Sequence, residues 1–228
     1  MIHLYAKVGL HRYNMLHGTN LQLHHIEKYN RFYRKMPSSY FITLVAKDPS
    51  TGSLVTFQTS IQESSCEFDV KCFVARPKSK ETKCTLWLDN HRGAAPNFLG
   101  CTAPKWPSDD ALGDKNRFYV VEESELKENE WIRLYMELAF VTTNRLTSDK
   151  HDKLSDLRIV EVVVETRKIV NPPNEKLKGA KNALVYIEYE QDLGEGRFCK
   201  YRARIRRSVD VRTGRLSLVG QNEQTCSI

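Results

Sequence analysis

The last third of the chain restricts the fold more than any other part. Four stretches, "LRIVEVVVETRKI", "NALVYIEYEQ", "RFCKYRARIRRSV" and "RLSLVGQ", follow one another, separated by "NPPNEKLKG", "DLGEG" and "VRTG". The third alternates cleanly, with Cys199, Tyr201, Ala203 and Ile205 at odd positions and Lys200, Arg202, Arg204 and Arg206 at even ones. Successive side chains of a strand point to opposite faces, so a period of two means one buried face and one wet face. The Gly, Pro and Asn breaks suit turns between consecutive antiparallel strands.

Upstream, "RFYVVEE" reads as a strand, and "ELKENEWIRLYMELAFVTTNRL" as a helix capped by Ser124. Trp131, Leu134, Tyr135, Leu138 and Val141 form the stripe expected to face the sheet. Ile132, Met136 and Phe140, spaced four apart, form a second stripe on another side, leaving Glu130, Arg133 and Glu137 as a narrow wet edge. A helix covered on one face by its own sheet has no need of that second stripe. It therefore marks either a seam with the rest of the chain or a partner's docking face, and the seam is preferred because two small modules need a shared core.

The first half reads in the same order. "HLYAKV" is expected as a short strand. "GTNLQLHHIEKYNRFYRK" is expected as a helix, capped by Thr19 or Asn20 and stopped by Pro37. "SYFITLVAK" and "SLVTFQTSIQ" flank "DPSTG" as a hairpin, "CEFDVKCFVAR" alternates as a third strand, and "KCTLWLDN" could be a fourth. Residues 91–116 are rich in Gly and Pro and follow neither period. The expected fold class is therefore α+β: two modules, 1–90 and 117–228, joined by the linker 91–116. In each, one helix packs on an antiparallel sheet in β-α-β-β-β-β order. By element order alone this resembles the cystatin/monellin topology.

The chain has 228 residues, is 40% hydrophobic and carries a net charge of +7 from 35 bases and 28 acids. That composition is globular, and the charge is too diluted by acids to announce a polyanion partner. No basic segment leads into an apolar run at the N-terminus, and no apolar stretch approaches the ~20 residues that cross a bilayer. The expected compartment is cytosol or nucleus, with no membrane contact. Six cysteines without a CxxC pair are expected as buried thiols.

Catalytic and metal signatures are weak. His24 and His25 are adjacent rather than four apart, so a helix would splay them by 100°. "LGEGRF" contains two glycines but sits between strands, His151-Asp152 lies in a polar loop, and Glu161/Glu165 and Glu188/Glu190 fall on wet strand faces. No enzyme activity, cofactor or metal is expected. Lys200, Arg202, Arg204 and Arg206 remain the candidate anion-binding row, because alternate residues recur about every 6.6 Å, near the phosphate spacing of nucleic acid. If the hairpin closes around 192–196, Glu188 faces Lys200 and Tyr186 faces Arg202. The row is then partly neutralised by its own sheet.

The strings "LYAKVGLHRYNMLHGTNLQL", "SYFITLVAKDPSTGSLVTFQT" and "DALGDKNRFYVVEESELKENEWIRLYMELAFVTTNR" resemble a plant-specific family expanded in crucifers. It is named after a Brassica male-sterility gene and includes an embryo-defective member. The resemblance runs from about Leu4 to Arg207 and implies a role in male meiosis or embryo development, with no catalytic residues to transfer. Many members carry a segment ahead of the "LYA" motif, so this chain reads as a short paralogue. The family's association with cystatin-like folds raises cysteine-protease inhibition as an alternative. The "PKWP" around Trp106 and the C-terminal "SLVGQ" nevertheless do not form the inhibitory wedge. The expectation is a non-catalytic protein that acts through an unidentified protein partner, with polyanion binding as the other alternative.

Overall fold

A computed structural model describes residues 1–32, 38–64, 68–78, 105–144, 154–166, 177 and 180–225. The chain opens with helix α1 (Ile2–His17), followed by strands β1 (Gln22–Phe32), β2 (Ser38–Lys47), β3 (Leu54–Glu63) and β4 (Phe68–Pro77). After the short helix α2 (Asp109–Leu112) come β5 (Phe118–Val120), α3 (Glu123–Glu128) and α4 (Glu130–Thr143). Four further strands complete it: β6 (Leu157–Glu165), β7 (Ala183–Asp192), β8 (Phe198–Val209) and β9 (Leu216–Gln224). The α+β class is as expected from the sequence, but the first helix and first strand are exchanged.

Residues 2–17 bury Leu4, Tyr5, Val8 and Leu10, a helical spacing that is visible only over the full sixteen residues. Gly18 ends the helix in the left-handed region at φ 65°, where its N–H reaches the Asn14 carbonyl. Neither Thr19 nor Asn20 caps a helix. Instead the Asn14 side chain clasps the turn, accepting from the Thr19 hydroxyl and the Leu21 N–H and donating to the Leu21 carbonyl. The second expected helix is two: a capping box at Glu122 and Glu125, rather than Ser124, starts α3, and Asn129 breaks the run before α4.

All strands join one antiparallel sheet in the order β1-β2-β3-β4-β9-β8-β7-β6-β5. Each half is a meander that runs inward from an edge, β1 to β4 from one side and β6 to β9 from the other. The two meet where β4 pairs β9, with Val70 opposite Leu218 and Cys72 opposite Leu216. Helices α1 and α4 touch each other and pack on β4 and its neighbours. One continuous core results, including Tyr5 and Val8 of α1, Ile42 and Ile61 of the first meander, and Val185, Ile205 and Leu218 of the second. Of the segment expected as a linker, residues 91–104 lie outside the described residues. From Lys105 onward it lies on the far side of the sheet, where Trp106 and Leu112 pack with Phe118, Val163 and Tyr186.

Candidate functional site

The β7–β8 hairpin closes one step later than the sequence reading placed it. Gly194, Glu195 and Gly196 all have positive φ (81°, 56° and 74°), and Leu193 N–H donates to the Arg197 carbonyl at 2.9 Å. Two glycines allow a tight left-handed turn, which sets Asp192 opposite Phe198. Lys200 therefore faces Glu190, Arg202 faces Glu188, Arg204 faces Tyr186 and Arg206 faces Leu184.

That register gives the basic row its partners. Arg202 donates to Glu188 at 2.9 Å and holds its guanidinium 4.9 Å over the Trp106 ring. Arg204 pairs with Glu223 of β9 and also reaches Gln221. Glu190, opposite Lys200, accepts from Arg158 at 2.9 Å. Glu165 accepts from Arg117 at 2.8 Å and from the Tyr186 hydroxyl at 2.7 Å, and burial together with that bond raises the Tyr186 phenol above its ordinary range. Glu165, Glu188 and Glu190 thus serve the same lattice of cross-strand pairs, each worth a fraction of a kcal/mol to about 1 kcal/mol.

Ile132 and Met136 are 0% exposed and Phe140 is 3%. Their stripe and the Trp131–Val141 stripe are both used inside the chain, one helix being covered by the sheet and by α1. Glu137, expected on the wet edge, is buried and accepts from Arg133 at 2.9 Å.

Arg207, next to Arg206 at the end of the basic row, is only 1% exposed. It shares the odd parity of Tyr201 and Ile205, and that parity places it inward. Its Nη2 donates to the Ala180 carbonyl at 2.7 Å. Nearby, His11 Nε2 lies 2.9 Å from the Tyr135 hydroxyl, and the His11 ring stacks on Trp131. Burial, reinforced by the Arg207 charge, pushes the His11 imidazole down to about 3, and burial pushes the Tyr135 phenol up to about 12. Arg12 is also buried, donating to the carbonyls of Gly214, Ala75 and Thr213.

His24 and His25 are exposed on β1, their Nδ1 atoms 2.7 Å apart, and no group of three metal-ligating side chains occurs among the described residues. Cys72 and Cys199 are buried free thiols, and burial raises the Cys72 thiol to about 12. Cys66, Cys84, Cys101, Cys226 and His151-Asp152 lie outside the described residues. No helix among the described residues is long and apolar enough to cross a membrane.

The sequence model described as Protein MS5 matches residues 103–218, just over half of the chain. The chain belongs to the Protein MS5 family. Similar Arabidopsis thaliana proteins include UPF0725 protein At1g02770, 40% identical over 97% of this chain and 68% of its own length. UPF0725 protein EMB2204 is 38% identical over 96% of this chain and 66% of its own. The MS5-family fold is also seen in the crystal structure of MS5 from Brassica napus. That structure superimposes with a TM-score of 0.80 at 42% identity, covering 98% of this chain and 97% of that one.

Proposed function

We propose that this protein is a non-catalytic interaction module serving reproductive or embryonic development, and that it engages a protein partner along its sheet. One observation carries the reading: β1 is an eleven-residue strand at the end of the sheet, exposed along most of its length. Edge strands are ready templates for a further chain, and natural proteins usually shorten or cover them. The groups with the most displaced titrations, Tyr189, His11, Cys72 and Tyr186, are buried rather than set around a cleft, which supports a role without catalysis. The developmental assignment draws on the family resemblance.

Within this reading each half is one module, and the β5-α-β6-β7-β8-β9 order of the second half supports the cystatin-like comparison. In the first half, too, a helix, α1, precedes four strands. The test is affinity purification of the tagged protein from flower buds under cross-linking. A partner recovered reproducibly at near-stoichiometric yield is expected, and its absence removes the reading.

A further inference from the structure

His24 and His25 are the pair that the sequence reading set aside because adjacent residues of a helix point apart. They lie instead on β1, and the form of that strand decides where they point. A regular strand would separate them too, since neighbours face opposite sides of a sheet. Strand β1 is not regular there. Its pairing passes from Leu23–Ala46 to His25–Val45, so His24 is an inserted residue. Leu23 and Ile26, on either side of the pair, both pack against the core, and both histidines are exposed. The bulge thus turns two neighbours to one side, a re-aiming that bulges perform next to functional sites.

The result is a converging pair of ring nitrogens. The two ring centroids are 5.0 Å apart, but the two Nδ1 atoms approach to 2.7 Å, so that one donates a hydrogen bond to the other. With metal–nitrogen bonds of about 2.0–2.1 Å, that 2.7 Å separation subtends an angle of about 80–85° at a shared metal. A tetragonal ion asks for about 90° between neighbouring ligands, whereas a tetrahedral one needs the two nitrogens roughly 3.3 Å apart. The pair therefore matches the preference of Cu(II) and Ni(II) better than that of zinc, and the Irving–Williams order puts Cu(II) first. Glu27 and Lys28, next along the strand, cancel in charge and leave no net repulsion for a cation.

We propose that His24 and His25 form a surface chelate for one tetragonal divalent ion, Cu(II) above all, bound through both Nδ1 atoms. The ion takes the place of the hydrogen that the two nitrogens share. The histidine that held it then carries its proton on Nε2, so the pair loses no proton on binding. Among the described residues no third metal-ligating side chain joins the pair. The remaining coordination positions fall to water or to a donor brought by another molecule. The inference stands apart from the interaction reading above and does not depend on it.

The probe is Cu(II) alone, titrated against the untagged full chain in a non-chelating buffer. A His3→Gln background removes the imidazole nearest the terminal amine, a competing copper ligand. Calorimetry reports stoichiometry and affinity, and electron paramagnetic resonance reports the geometry and the number of bound imidazoles. One ion per chain, a tetragonal spectrum and coupling to two imidazoles are expected. His24→Ala and His25→Ala should each weaken binding at least about tenfold and reduce the coupling to one imidazole. Both side chains are exposed, so the melting temperature should not change. A peptide of residues 20–30 with blocked ends holds the same pair without β2 to impose the bulge. It should bind at least about tenfold more weakly than the folded chain.

A copper spectrum with fewer than two imidazoles overturns the proposal, as does an affinity unchanged in either alanine variant. Equal affinity of the blocked peptide also overturns it, because adjacency in sequence would then suffice and the bulge would build nothing.

Discussion

Arg207 of β8 holds its guanidinium 4.5 Å above the Trp131 ring of α4, and the same ring stacks on His11 of α1. A strand of the second meander and both long helices are thereby joined through one aromatic side chain. A buried guanidinium keeps much of its stabilisation only while such partners stay in place.

The cluster makes stability depend on pH. His11 titrates near 3 when folded, against about 6.5 when unfolded. The unfolded chain therefore takes up a proton that the folded chain refuses. Stability is complete above pH 6.5 and falls as the pH drops toward 3, by up to about 1.4 kcal/mol per unit. Urea titrations at pH 7, 5 and 4 should show a shallower decline for His11→Gln than for the wild type. Parallel declines would contradict the assignment.

A second prediction concerns the seam of the sheet. Gly220 of β9 lies between Phe68 and Ile205, and a Cβ there would collide with the Arg204 carbonyl oxygen and sit 3.0 Å from the Ile205 Cα. Gly220→Ala should cost about 3 kcal/mol. Gly52→Ala, at a turn with open space but φ 72°, should cost about 1 kcal/mol. Denaturant midpoints compare the two.

Met136→Ala should destabilise the chain by about 2–5 kcal/mol through the cavity it leaves, and Met136→Asp should prevent folding. A folded Met136→Asp variant that has lost only a partner would instead make the Ile132/Met136/Phe140 stripe a docking face. Guanidinium unfolding followed by circular dichroism distinguishes the two.

The combined variant Arg202→Gln, Arg204→Gln, Arg206→Gln tests the basic row. With Arg202 on Glu188 and Arg204 on Glu223, the variant should elute from heparin at nearly the wild-type salt concentration and melt lower. A large loss of heparin retention with unchanged melting would favour polyanion binding.

In the second meander β8 was legible because its alternation is uninterrupted, although the inward side of Arg207 was not read from it, whereas β6 carries a register shift between Ile159 and Glu161. The first strand was not legible, for a geometric reason. Leu23, Ile26 and Tyr29 stand opposite Ala46, Leu44 and Ile42, and each of the two bulges inserts one residue between them. Like-facing residues thus recur every third position rather than every second, and a spacing of three imitates a helix face. The partners of the basic row were misassigned by one pair, because the three left-handed residues of the hairpin turn move its closure by one position. No local pattern shows that Trp106 lies over Tyr186 and Arg202, since that contact joins segments about a hundred residues apart.

The β4–β9 junction also bears on how the molecule is made. Strand β4 ends at Pro77, and the strand that zips against it is Leu216–Gln224, made about 140 residues later. Throughout synthesis the first meander waits with its inner border open, and Arg12 waits for carbonyls at Thr213 and Gly214. Long-range pairing of this kind is slow and leaves strand edges exposed in the meantime. Nascent chains stalled before residue 216 should therefore be the form that chaperones hold and proteases cut, and emergence of residues 216–224 the event that closes the sheet.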